Sequence, residues 1–378
     1  MDLLNGFVTY VIPFLIVLTV LVFVHELGHY WVARRNGVRV EVFSIGFGNE
    51  LFGWTDRAGT RWRFSAVPLG GYVKMYGDAD ATSAPDASVK EMTDEQRAVS
   101  FHHKRVGQRA AIVVAGPAAN FLFAIVAFAV IYVFVGQPFT PADVGGVLPG
   151  SAAERAGIQP GDRIVEINGE SIERFEDILR IVQLNLTQPL EITVDRDGQE
   201  LSITATPTVV EETDRSGNTH RFARLGISRP GIEIRQHPPL EALWRATLET
   251  WTQTTGTLRA VGQMLSGRRS SDEVGGMFTI GQQAGEVVRN GGVIGLVIFM
   301  AVLSINLGLI NLFPVPMLDG GHLVFYAAEA VRGRPLSLQA QEYGFRIGLV
   351  LVFSLMLFAT WNDLVRLRVV QYLVGLVS

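Results

Sequence analysis

Charge vanishes from four stretches of this chain and returns between them. Phe7–Val24 is uncharged, and the apolar character runs on past two histidines and a glutamate to Ala33. Ala110–Val135 and Val293–Leu318 carry no charge at all. A helix needs about 20 apolar residues to cross a bilayer, and these three runs suffice. Ile347–Trp361 is shorter and suffices only if its flanks from 344 to 365 contribute, with Arg346 extending its charge to the interface. The pattern predicts four membrane-spanning helices, within 1–37, 110–136, 293–322 and 344–365. The first is read as a retained span and not a cleaved leader: it opens on Asp2, lacks a basic start and has no small-residue cleavage site.

Between the spans the pattern changes period. In "RWRFSA", Arg61, Arg63 and Ser65 alternate with Trp62, Phe64 and Ala66, and "TDRAGT" before it has turn chemistry. "SIGFG" and "PLGGYV" place glycines where backbone can approach closely. Residues 38–76 therefore read as a membrane-associated β-region beside the first span, since strand edges in lipid must be buried or line a cavity. Residues 77–109 read as a polar cytoplasmic loop, small and acidic up to 100. His102 and His103 lie near its end; adjacent helical residues point about 100° apart, so they read as solvated. Residues 239–266 read as an amphipathic helix for a membrane interface or for packing under the preceding domain. Leu240, Leu243, Trp244, Thr247, Leu248, Trp251, Leu258, Val261 and Leu265 form its stripe, with "GRR" following.

Residues 143–210 are of another kind. "GSAAERAGIQPGDRIVEINGESI" reads as turns, a short helix and a strand; "FEDILRIVQLN" reads as a helix. "EITVDRDGQELSITATP" reads as two strands around Asp197-Gly198. "AGIQPGDRIVEING" resembles a PDZ domain, a module that binds extended peptides by strand addition. The fold expected is a multi-pass α-helical membrane protein with a membrane-associated β-region and an inserted α/β PDZ domain.

Composition agrees. Hydrophobic residues make up 48% and charged residues 18% of the 378, against about 25% charged in soluble domains. A net charge of −4 gives no reason to expect nucleic acid. With no cysteine, any metal must sit on His, Asp or Glu. Arg34, Arg35, Arg39, Lys104, Arg105 and Arg109 bracket the first loop and place it in the cytoplasm, which puts the N-terminus and residues 136–292 outside.

Candidate chemistry begins in "FVHELGHYW". His25 and His29 are four apart, so a helix presents both to one ion. Glu26 is placed to act as base on an attacking water. Burying these three groups in an apolar span costs several kcal/mol unless something compensates, and metal binding does. The third ligand comes from "NLGLINLFPVPMLDGGH", either Asp319 or His322. Pro314 and Pro316 break the helix there, and broken backbone at membrane depth lines polar cavities. That favours Asp319. His220 and His237 fall on the outer side, outside any ligand-like pattern.

"HELGH", "NLFPVPMLDGG", "AGPAANF" (residues 115–121) and the PDZ-like unit between the second and third spans resemble the site-2 protease family of intramembrane zinc metalloproteases. The order of parts is similar to the bacterial regulator-of-sigma-E branch with a single PDZ domain. "VGGMFTIGQQAGE" (274–286) departs from the Gly-Pro-Ile-like sequence common there. The resemblance implies zinc on His25, His29 and Asp319, and Glu26 as catalytic base. It implies substrate contacts at Asn311 and at Gly46, Phe47 and Gly48 of the β-region. It further implies single-span membrane substrates, such as an anti-sigma factor or a remnant signal peptide, and a place in the bacterial inner membrane. Two rival readings are a membrane scaffold that has lost catalysis and a soluble-type zinc peptidase on an N-terminal anchor. The intact His25, Glu26, His29 and Asp319 argue against the first. The lack of a third ligand in the outer region argues against the second.

Overall fold

In the computed structural model a π-helical turn, Phe7–Val11, leads into helix α1, Ile12–Arg35. The structure describes residues 7–78, 92–185, 187–213, 219–231, 233–267 and 275–366. Pro13 sits in the first turn of α1, where its missing N–H breaks no bond. The buried residues of α1 recur every fourth position: Pro13, Val17, Leu21, His25, His29 and Ala33. One helix face therefore carries both the packing and the two histidines.

Strands β1, Val40–Thr55, and β2, Arg61–Met75, follow. Both bend, so two strands build a sheet of four ribs. Residues 42–45 pair with 61–64 on one side and with 71–74 on the other, while 50–55 pairs back onto 61–65. The 71–75 rib is thus an edge. The turn is held to α1 by Asp56. Its Oδ1 accepts from the backbone of Ala58 and Thr60, and its Oδ2 from Trp62 Nε1 (2.9 Å) and Tyr30 Oη (3.0 Å). Burial opposes the charge on Asp56, but these donors hold its pKa below the usual carboxylate range. Leu51, Phe52, Trp54, Phe64 and Val67 leave an exposed apolar margin on the sheet.

Helix α2, Asp94–Val99, has a Thr93–Gln96 capping box, and α3, Val106–Phe134, carries Pro117 inside it. The acidic loop expected before α2 falls mostly on 79–91, outside the described residues. His102 differs from expectation. It is largely buried, and its Nε2 lies 3.0 Å from Oδ1 of the fully buried Asp78. A buried carboxylate needs a partner, and His102 supplies it.

Residues Ile131–Pro238 form a separate unit. It contains β3 (Gln137–Phe139), β4 (Gly146–Val147), α4 (Ala152–Ala156), β5 (Arg163–Ile167), β6 (Glu170–Ser171) and α5 (Phe175–Leu184). Then come β7 (Leu190–Arg196), β8 (Gln199–Ala205), β9 (Thr208–Thr213), β10 (Thr219–Arg224), β11 (Ile227–Ser228) and β12 (Glu233–Arg235). A sheet in the order β6-β5-β7-β8 packs Ile164, Ile167, Leu190, Ile192 and Val194 against Phe175, Ile178, Ile181 and Val182 of α5. The stretch read as one strand, "RIVEINGESI", is a hairpin. Asn168 and Gly169 both take positive φ, 51° and 82°, and turn the chain between β5 and β6. Asp197 and Gly198 do the same between β7 and β8. Strand β12 pairs with β3 and joins the two ends of the unit.

The chain returns to the first unit with α6, Pro239–Leu265. Its buried residues are Ala242, Ala246 and Thr250, while Leu240, Trp244, Trp251 and Leu265 of the apolar stripe are exposed. The stripe therefore does not mark the packing face. Small residues let helices approach closely, and the large ones are left facing outward. Arg268 and Arg269 of "GRR" lie outside the described residues.

Helix α7, Met277–Asn311, is two arms, reversed at Gly292 (φ 57°, ψ −148°). A Cβ on Gly295 would lie 3.1 Å from Val287 Cγ1, so the arms fold back on each other. Asp363 caps the start of α7. It accepts from the backbone of Gly276 (2.9 Å), Phe278 (3.0 Å) and Thr279 (3.2 Å), and from Thr279 Oγ1 (2.5 Å). Helix α8, Asp319–Arg332, begins after irregular residues 312–318, and α9, Leu338–Arg366, closes the described chain and supplies Asp363. Among the described residues four helical segments are long and apolar enough to cross a membrane: Phe7–Arg35, Val106–Phe134, the arm of Met277–Asn311 that follows Gly292, and Gln339–Val365.

Candidate active site

The buried stripe of α1 points His25 and His29 at α3 and at the start of α8. Asp319 is the first residue of α8. The DGG sequence explains its position: a Cβ on Gly320 would sit 2.2 Å from the Phe313 carbonyl oxygen, and one on Gly321 2.4 Å from that of Val315. Only glycines let the helix start fold against the broken segment. Met317 adds strain, with φ at 87° in a non-glycine residue.

His25 Nε2 and His29 Nε2 lie 3.2 Å apart, and Asp319 Oδ2 lies 3.2 Å from the first and 3.6 Å from the second. One donor atom from each residue falls within a 4.8 Å cluster. Asp319 Oδ2 is buried and has no hydrogen-bond partner. Three inward-facing donors and an unsatisfied carboxylate oxygen suit a shared cation, and an N,N,O set with room for water suits a catalytic one. Helix α3 orients both rings. His29 Nδ1 donates to the Ile112 carbonyl (2.8 Å), which leaves Nε2 free for metal. His25 Nδ1 faces the Asn120 amide. Gly116 makes room, because a Cβ there would lie 2.3 Å from His29 Nε2.

The cluster and Glu26 line a cavity of ≈190 Å³. Gly71, Tyr72, Val73 and Met75 of the β2 edge and Asn311 at the end of α7 complete much of its wall. Gly46, Phe47 and Gly48 are not among its lining residues. Phe47 stacks on Tyr72 at 6.1 Å, and both glycines take positive φ. His322 lines the cavity but stands outside the donor cluster. With Tyr326 it also lines a second cavity of ≈160 Å³, which holds the Arg109–Glu329 ion pair (2.6 Å) and His102. His237 lies in the other unit. The roles of Gly116 and Asn120 were not read from sequence, although "AGPAANF" marked the segment. The importance of Tyr72 and Val73 was signalled only by the glycines of "PLGGYV".

Such a donor set beside a glutamate in a cavity with room for water is the site of a metal-dependent hydrolase. The sequence model of Peptidase family M50 matches residues 13–355. A candidate zinc metalloprotease of Agrobacterium fabrum is 46% identical over 366 residues, covering 95% of this chain and 97% of its own. Metalloprotease MmpA of Caulobacter vibrioides is 43% identical, covering 98% and 99%. A solved PDZ domain of an SdrC-like protein from Listeria monocytogenes aligns with 24% of this chain and 88% of its own, at 16% identity and a TM-score of 0.20. The chain belongs to peptidase family M50. It is a metalloprotease.

Proposed function

We propose that the chain is a zinc endopeptidase that cuts single-span membrane proteins within or near their spanning helix, in regulated intramembrane proteolysis. An anti-sigma factor or a remnant signal peptide is the kind of substrate meant. One observation carries the proposal: His25, His29 and Asp319 converge beside Glu26 among helices long enough to cross a bilayer. The metal is assigned as zinc because the donor set is N,N,O and the relatives named above are zinc metalloproteases by name or metalloproteases. When bound, zinc supplies Lewis acidity, polarising the scissile carbonyl and lowering the pKa of the attacking water to about 7.

The chain's own groups do the rest. Glu26 takes the proton from the attacking water and returns it to the leaving amine. A helical substrate hides its carbonyls in hydrogen bonds and must unwind to react. The 71–75 rib is the sheet edge that borders the cavity, and it is the edge to which an unwound strand adds. Phe47, set between Gly46 and Gly48, supports that edge by stacking on Tyr72. Asn311 lines the cavity from the opposite element and is placed to engage substrate backbone.

The exposed aromatic margin of the sheet and the outward tryptophans of α6 suit a lipid interface. We place the protein in the bacterial inner membrane, with the N-terminus and the PDZ domain, residues 143–210, on the periplasmic side and the active site towards the cytoplasm. Residues 143–210 act as a PDZ domain that screens substrates. An apolar groove of ≈380 Å³ between α5 and residues 223–227 is the place for an added peptide strand.

The test is a Glu26→Gln variant in membranes with a single-span reporter. Zinc stays bound and cleavage disappears; cleavage that persists refutes the assignment of Glu26. Asp319→Ala lowers zinc occupancy, and full occupancy would move the third ligand to His322.

A further inference from the structure

Asn120 is fully buried on α3, and Ser304 of α7 donates to its backbone carbonyl at 2.9 Å. Its side chain faces the first metal ligand: Asn120 Nδ2 lies 3.1 Å from His25 Nδ1. At the same time Asn120 Oδ1 is buried with no hydrogen-bond partner. A buried amide oxygen left unsatisfied is costly, so its placement needs a reason.

The tautomer of His25 supplies one. With the amide donating to Nδ1, the imidazole proton sits on Nε2, which lies 3.2 Å from His29 Nε2 and 3.2 Å from Asp319 Oδ2. A metal ligand needs the opposite tautomer, because Nε2 must present its lone pair. The proton then sits on Nδ1 and requires an acceptor. Half a turn of the amide brings Oδ1 to the place Nδ2 occupies, and the two ends have nearly the same shape. We propose that Asn120 is a positioning residue for the metal site: in the loaded enzyme its Oδ1 accepts from His25 Nδ1–H. The Asn120 side chain thereby does for His25 what the Ile112 carbonyl does for His29. The difference matters. A backbone carbonyl only accepts, so it favours one tautomer of His29 throughout. An amide can donate or accept, so Asn120 follows His25 as the metal enters or leaves.

This inference rests on the reading that His25, His29 and Asp319 hold the ion. The experiment measures zinc affinity of the full chain in detergent by chelator competition, with the absorption spectrum of the cobalt-substituted protein as a second readout. Asn120→Leu removes the acceptor at similar volume and lowers zinc affinity about 10–100-fold, the range for lost outer partners of a ligand histidine. Asn120→Asp keeps an acceptor and stays within about threefold of the unmodified chain, with an unchanged cobalt spectrum. If the leucine variant does not fold, Asn120→Ala removes the acceptor without bulk and carries the same expectation. Unchanged zinc affinity in the leucine or alanine variant overturns the proposal. So does an equal loss in Asn120→Asp, which would mark a purely structural amide. His25→Ala is the control: if it keeps tight zinc, the ligand assignment itself fails; if it loses zinc while Asn120→Leu does not, only the present inference fails.

Discussion

Gly116→Ala tests how closely α3 is fitted to His25 and His29. The added methyl would lie 2.3 Å from His29 Nε2, 2.5 Å from His29 Cε1 and 2.9 Å from His25 Cε1. Comfortable contact is about 3.5–4.0 Å, so the methyl overlaps His29 by more than about 1 Å. Neither ring yields freely. His29 is held by its 2.8 Å bond to Ile112, and His25 faces Asn120 at 3.1 Å. If the rings hold, the helices must part, and overpacking of this kind costs about 1–3 kcal/mol. If the rings give way, their orientation is lost, which lowers metal affinity about 10–100-fold. Either way zinc affinity and cleavage fall together, by roughly 10-fold or more. Gly107→Ala on the same helix is the control, since a methyl there meets nothing within 4 Å. It should leave zinc binding unchanged and the fold as stable or slightly more so. The assay is chelator competition paired with reporter cleavage. A Gly116→Ala protein that binds zinc and cleaves like the parent refutes the packing argument.

Asp363→Ala removes the acceptor for three backbone N–H groups and one hydroxyl at the start of α7. At about 1–3 kcal/mol for each buried group left unpaired, and with partial relaxation, a loss of about 3 kcal/mol is expected in detergent unfolding. A loss below about 1 kcal/mol would mean that water takes over the cap. In the other unit, Arg196 holds Asp162 through Nε (2.6 Å) and Nη2 (2.8 Å), and this pairing lowers the Asp162 pKa. A carboxylate with a depressed folded pKa stabilises the fold above its unfolded value of about 4 and loses that contribution as pH falls through the folded value. Arg196→Ala should therefore speed hydrogen exchange of β5 and β7 at pH 7, and less so at pH 2. An equal effect at both values would remove the charge from the explanation.

Local order decided what was legible in the sequence. Four-residue spacing put His25 and His29 on one face before any packing was known, because helical geometry repeats within each turn. Uncharged runs located the apolar helices, and Asp197-Gly198 marked a hairpin, since both signals are read within a few residues. The large apolar residues of α6 read as facing a membrane interface or packing under the preceding domain; they stay exposed, and Ala242, Ala246 and Thr250 are the buried ones. The same locality misled in one place. "RIVEINGESI" read as one strand because its polar and apolar residues alternate on both sides of a turn that needs only Asn168 and Gly169.

The rest belonged to tertiary structure. Asp319 and His322 are three residues apart, and no periodic rule separates them. The separation comes from the contact of Gly320 and Gly321 with the broken segment before them, which aims Asp319 at the histidines and leaves His322 shared between two cavities. Gly116 and Asn120 acquire meaning only beside His25 and His29, some ninety residues earlier in the chain. The 71–75 edge exists because β2 passes β1 twice. Sequence by itself determined the paired histidines, the apolar helices and the chemistry available. Only the fold decided the aim of Asp319, the partners that orient the imidazoles and the strand that borders the cavity, because each depends on contacts between segments that no local pattern encodes.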